Sequence, residues 1–135
     1  MKIDSSQIVL FVVFMVLGLI SAWYFGDLGE KTTSGAISEP KLSVVQQQGR
    51  VLFTQNCAQC HGSSGSGTDQ GPPLIHKIYE PSHHGDGSFI VAARSGVRAH
   101  HWKFGNMPPV NSVTDDDVSK ITQYIRAVQR ENGIH

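Results

Sequence analysis

Phe53-Thr54-Gln55-Asn56-Cys57-Ala58-Gln59-Cys60-His61 is the stretch on which the reading of this chain turns. Its last five residues hold the only two cysteines among 135 residues, with two residues between them and a histidine directly after. A disulfide between them would close too short a loop to be much of a staple. A structural zinc site would want a second pair of ligands at similar spacing, and the sequence has none. A thioredoxin-like dithiol would need strand–helix–strand patterning around it, which is absent. Cys-x-x-Cys-His is instead the pattern of covalent haem attachment. Two thiols at i and i+3 on a helical turn can reach the two vinyl-derived carbons on one porphyrin edge, and His61 then turns its imidazole to the iron.

Around this stretch the signals are helical. Val45, Gly49, Leu52, Phe53 and Asn56 recur at helical spacing and run straight into Cys57. A second helix is predicted from Asp86 or Ser88 over Phe89, Ile90, Ala92 and Ala93, stopping at Gly96. The third is the clearest: Thr114 as N-cap, Asp115, Asp116 and Asp117 in the first turn, and Gly133 at the end. Its apolar stripe is Val118, Ile121, Ile125 and Val128, with Tyr124 at the edge. Residues 62–82 read as loop. No alternating strand pattern and no internal repeat are found.

A haem iron with His61 on one side invites a second ligand. Met1 and Met15 lie at the amino-terminal end, so Met107 is the methionine left for the domain, in Gly105-Asn106-Met107-Pro108-Pro109. It lies on neither a helical nor a strand face, and the prolines after it stiffen its loop. The iron ligands expected are therefore His61 and Met107. Arg94, Arg98 and Trp102 are candidate partners of the haem propionates. His76, His83, His84, His100 and His101, with His135 at the end, could supply a second metal site or a substitute for Met107. Because the pairs sit in loops without fixed metal-ligand spacing, exposed imidazoles or propionate partners are expected instead.

Towards the amino terminus, Ile8 to Phe25 reads IVLFVVFMVLGLISAWYF, 18 residues without a charge. As a helix it would be roughly 27 Å long, against about 30 Å of bilayer core. A cleavable signal usually has a shorter apolar core and a small-x-small site, whereas Ala22 is followed by Trp-Tyr-Phe. Residues 1–25 are thus expected to be a cytoplasmic tip and an uncleaved transmembrane anchor. Lys2 before the span places the amino terminus inside and the rest on the periplasmic side. Residues 26–40, GDLGEKTTSGAISEP, read as a flexible linker of about 20 Å mean reach, and 41–135 as the haem domain. Lys+Arg and Asp+Glu are balanced at 11 each, which gives no pull towards nucleic acid. Residues 41–135 carry a formal +2, from four Lys and five Arg against five Asp and two Glu. Two ionised propionates would cancel that charge, so a small, transient docking surface is expected.

Gly49-x-x-x-Phe53 ahead of CxxCH, then Gly71-Pro72-Pro73-Leu74, then Gly105-Asn106-Met107-Pro108-Pro109 and an aromatic-bearing last helix together resemble a class I cytochrome c. The resemblance covers about 90 residues, from Val44 to Gly133. His100 to Pro109, HHWKFGNMPP, resembles a subgroup of small membrane-anchored monohaem cytochromes. The resemblance implies an all-α cytochrome c fold, three main helices around one covalently bound haem c, here preceded by a single transmembrane helix. The first and last helices would cross at Gly49, with Phe53 against Tyr124. A proline carbonyl in the loop after CxxCH would accept a hydrogen bond from the proximal imidazole, by position that of Pro72, with Pro73 the other claimant.

His/Met ligation fills both axial positions, leaves no open site for a substrate and favours ferrous iron. The expected function is one-electron transfer by a tethered shuttle rather than an enzyme. Its redox partners would be a membrane donor such as a quinol-oxidising complex and an oxidase or reductase as acceptor. A fixed haem subunit of a larger membrane enzyme is the main alternative, and a haem enzyme or sensor with exchangeable Met107 the lesser one.

Overall fold

Ser43 opens the first helix, α1 (Val44–Asn56), with a reciprocal cap: its hydroxyl accepts from the Gln46 N–H, and Gln46 Oε1 accepts from the Ser43 N–H at 2.8 Å. The helix buries Gly49 and Phe53, one turn apart, while Val44 and Val51 face solvent. After a break at Cys57, the single turn α2 (Ala58–His61) completes the CxxCH segment. Single 3-10 turns at Ser63–Gly65 and Lys77–Tyr79 carry the chain to α3 (Asp86–Ser95) and then α4 (Asp115–Glu131). Thr114 and Asp117 form the α4 capping box, and the three aspartates of its first turn meet the positive helix end. The computed structural model describes residues 13–17 and 37–135. Among these there is no strand, only a lone antiparallel bridge between Val97 and Met107.

The core is the seam between α1 and α4. Phe53, Tyr124, Ile125 and Val128 are each at most 1% exposed, and Ile121 and Leu74 join them. The Phe53 and Tyr124 rings lie 5.8 Å apart at 53°, a tilted arrangement favourable to their quadrupoles. Gly49 sets how close the helices come. A Cβ there would overlap the Lys120 carbonyl oxygen and stand 2.6 Å from its carbon, so any side chain must push the helices apart. α4 buries more than its predicted stripe: Thr122, Arg126 and Gln129 are also inside. Arg126 bonds Asp86 through Nε at 2.7 Å, the Tyr79 carbonyl and Gln129 through Nη1, and the His84 carbonyl through Nη2. Its guanidinium also lies 5.0 Å from the centre of the Phe89 ring. One buried cation thereby fastens α3, α4 and the 77–84 loop together.

The chain divides into two units, Met1–Gly35 and Ala36–His135. In the first, Val13–Leu17 is helical and exposed. The rest of the expected span, Ile8 to Phe25, and most of the expected linker lie outside the described residues. Among the described residues no helix is long and apolar enough to cross a membrane. The end of the predicted linker behaves differently from a free tether. Ile37 packs on the core, Ser38 exchanges two hydrogen bonds with Asn132, and Glu39 accepts from Tyr124 Oη at 2.6 Å as well as from Ser64. Residues 37–40 thus belong physically to the helical domain, because their polar groups find partners on it.

Burial alone would push the Glu39 carboxyl up, but hydrogen bonds from Ser64, Tyr124 and Arg50, with the Arg50 charge, bring it below the ordinary range. Its folded-state pKa is therefore lower than its unfolded one. The carboxylate stabilises the fold above the unfolded value, and that contribution drains away as pH falls through the folded value. Glu39→Gln is expected to lower stability at neutral pH by about 1 kcal/mol and to flatten the loss of stability on acidification below the usual Glu range, read by denaturant midpoints between neutral and acid pH. Gly49→Ala should destabilise the domain by about 1–3 kcal/mol through overpacking. Val51→Ala, on the exposed face of the same helix, should change it by less than about 0.5 kcal/mol. Equal thermal midpoints for the two variants would contradict a close crossing at Gly49.

Candidate functional site

A cleft of about 660 Å³ opens between the CxxCH segment, one side of α3 and the 97–107 loop. Cys57, His61, Trp102 and Met107 all line it, together with apolar groups such as Phe89 and Val97. Phe89, Ala92 and Ala93 give α3 an apolar cleft face, yet no residue of α3 is fully buried. Such a face is only half covered by protein and calls for a further apolar body against it.

On one wall, α1 delivers Cys57, and α2 carries Cys60 and His61. Desolvation, then the neighbouring Cys60, pushes the Cys57 thiol up to about 11. A redox dithiol needs the opposite, a depressed thiol pKa, so this environment speaks against that chemistry. His61 Nδ1 lies 2.9 Å from the Pro72 carbonyl. A carbonyl can only accept, so Nδ1 carries the proton and Nε2 keeps its lone pair. Burial also lowers the His61 pKa, against a smaller opposing effect of the Pro72 hydrogen bond, and the ring is held neutral. A neutral imidazole with a free Nε2 is the form that binds metal.

On the other wall, Met107 exchanges both backbone hydrogen bonds with Val97, each 2.9 Å. Asn106 Oδ1 accepts from the Ala99 N–H at 2.9 Å, and the Val110 N–H donates to the Ala93 carbonyl at 2.8 Å. These four bonds hold the methionine loop against the end of α3. Gly96 makes the approach possible: its φ is +73°, and a Cβ would stand 2.5 Å from the Met107 carbonyl oxygen. Nothing in the residue pattern points to this bridge, because the two residues that form it lie in segments without strand alternation.

The predicted propionate partners separate. Trp102 lines the cleft, and its buried indole N–H meets no partner at full hydrogen-bond geometry, although the Tyr79 hydroxyl is close enough to interact with it. A buried donor left unmatched costs stability unless a ligand accepts from it, as a carboxylate would. Arg98 also lines the cleft. Arg94 does not: it is paired with Asp115 at the start of α4, where the two ends of the α3–α4 connection meet. The histidine pairs, read as scattered loop imidazoles, converge instead. His83 Nε2 and His101 Nε2, eighteen residues apart in sequence, are 3.3 Å apart, and the His100 and His101 ring centres are 4.2 Å apart. Sequence reasoning missed Arg126 and Gln129 too, since nothing in a helical stripe marks a polar residue that will find buried partners.

An apolar cleft lined by Cys57 and an imidazole on one side, with Cys60 exposed in the turn between them, and by a thioether on the other is a fitting cradle for a haem attached through thioether bonds. The family model for cytochrome c matches residues 46–129. The CcoP subunit of the cbb3-type cytochrome c oxidase of Rubrivivax gelatinosus is 35% identical over 79 residues, which are 57% of this chain and 24% of that protein. The corresponding FixP subunit of Azorhizobium caulinodans is 31% identical over 98 residues, 64% of this chain and 30% of that protein. The chain thus matches between about a quarter and a third of the length of these relatives. The crystal structure of cytochrome cL from Methylophaga aminisulfidivorans superposes with a TM-score of 0.50 at 24% identity, over 79% of this chain and 66% of that one, and shows the fold. The match over residues 46–129 and the CxxCH segment at the cleft identify the chain as a member of the cytochrome c family, an electron-transfer protein with one haem c bound covalently through Cys57 and Cys60.

Proposed function

We propose that this cytochrome is a membrane-tethered one-electron shuttle whose haem iron is held by His61 and Met107. The observation that carries the ligand pair is that both residues line one cleft, each fixed from behind by backbone hydrogen bonds, to Pro72 and to Val97. Bound haem c supplies reversible uptake of a single electron; the chain's residues decide how readily. Pro72 orients His61 and raises the basicity of its ligating nitrogen. The bridge to Val97 fixes the backbone of Met107, so the same ligands can serve both oxidation states with little rearrangement. With His61 and Met107 both holding the iron, the haem would have no position left for a substrate, and the thioether would favour the ferrous form and raise the potential. Trp102 and Arg98, which line the cleft, are the residues we assign to the propionates. Arg94, paired with Asp115, is not assigned that role.

The tether rests on the uncharged run Ile8 to Phe25, with the haem domain on the periplasmic side of the cytoplasmic membrane. Redox partners follow from it: a membrane donor, and an oxidase or reductase as acceptor. A second reading is favoured by a specific observation, because both curated relatives are subunits of cbb3-type oxidases. In that case the chain would be a fixed haem subunit of a larger membrane enzyme.

The ferric protein should show the weak far-red absorption band of a methionine–iron bond, and Met107→Ala should lose it. The ferrous wild type should ignore carbon monoxide near neutral pH, while the variant takes it up and its midpoint potential falls. Carbon monoxide binding by the unaltered protein would remove Met107 from the ligand set. Extraction of the full chain in mild detergent should yield a free monomer in the membrane fraction. A stoichiometric partner that stays bound through purification would favour the fixed subunit, and a fully soluble chain would exclude the tether.

A further inference from the structure

The two His-His pairs are the largest group of chemically active side chains that electron transfer leaves unused. His83, His84 and His101 each bring one ring nitrogen within 4.8 Å of the others, the one such cluster among the described residues. Their ring centres form a nearly equilateral triangle, with sides of 4.7, 5.2 and 5.3 Å. Three imidazoles bound through one nitrogen each to a single tetrahedral ion, at about 2.0–2.1 Å, have ring centres about 5 Å apart and ligating nitrogens about 3.3–3.4 Å apart. The His83 and His101 Nε2 atoms are 3.3 Å apart already.

The surroundings are those of ligands rather than of loose surface rings. His84 Nδ1 donates to the Ile78 carbonyl at 2.7 Å, which fixes the proton on Nδ1 and leaves Nε2 with its lone pair. The backbone of His84 is in turn held by the buried Arg126, whose charge is offset by Asp86. His100 lies beside the His101 ring and is itself tied to the Arg98 carbonyl through Nδ1 at 2.8 Å. His101 titrates below the ordinary histidine range, first through lost hydration and then through repulsion from His100, His84 and His83. His83 and His101 are exposed, so they can rotate the short distance needed to close on an ion and leave a coordination position open to water.

We propose that His83, His84 and His101 form a site for one divalent transition-metal ion, with Zn²⁺ the ion that fits a neutral three-imidazole set with one open position. The site stands at the mouth of the haem cleft, since His84 and His101 also line it. It rests on the reading that Met107, and none of these histidines, is the second iron ligand.

Isothermal titration of the haem-loaded full chain in mild detergent with Zn²⁺ alone tests it. One ion per chain is expected. His83→Ala and His101→Ala should each weaken binding at least tenfold, the double variant should abolish it, and His135→Ala should leave it unchanged. Both ligand positions are exposed, and an unaltered haem spectrum reports that the domain is intact. Absence of zinc uptake, or uptake that survives in the double variant, overturns the site. A haem spectrum that shifts in the zinc-free double variant assigns these imidazoles to the haem and overturns it equally.

Discussion

The contact on which the rest of the molecule depends is the crossing of α1 and α4 at Gly49. Without a Cβ at that position the Lys120 carbonyl can enter the space where a side chain would stand. Only then do Phe53 and Tyr124 meet, and only then does the turn after α1 come to lie over the buried end of the core. Since Cys57 follows α1 directly, the placement of the attachment cysteines is a consequence of helix packing. The CxxCH motif supplies reactive groups; the crossing supplies their position.

The two walls of the cleft are stabilised in different ways. His61 is held by a side-chain hydrogen bond to one carbonyl, which fixes a tautomer. Met107 has no polar atom worth fixing, so its position is set through its backbone, by the pair of bonds to Val97 and the close approach of Gly96. A hard donor is thus oriented through its own proton and a soft one through its loop. In both cases the partner is a backbone group, which keeps the site insensitive to side-chain substitution behind it.

Arg126 links this architecture to the histidine cluster. A guanidinium that is almost fully buried needs several acceptors to offset its lost hydration, and it finds them in Asp86, Gln129 and the carbonyls of Tyr79 and His84. Satisfying that requirement draws the 77–84 loop onto α4. The same constraint that serves the core therefore fixes the segment from which His83 and His84 project.

Much of this was legible in the sequence. CxxCH, the capped last helix with its Val118, Ile121, Ile125 and Val128 stripe, and the lone domain methionine are local patterns, and local patterns follow from spacing and chemistry within a few residues. The bounds of α3 and α4, and the run of α1 into Cys57, followed for the same reason. What the tertiary structure alone decided are pairings between distant segments: Met107 with Val97, Arg94 with Asp115 instead of the cleft, Glu39 with Tyr124 and Ser64, Arg126 with four partners, and His83 with His101. None of these has a periodic signature. Each arises because a polar group buried or crowded by the fold takes the nearest complementary atom, and which atom is nearest is settled only when the helices have packed.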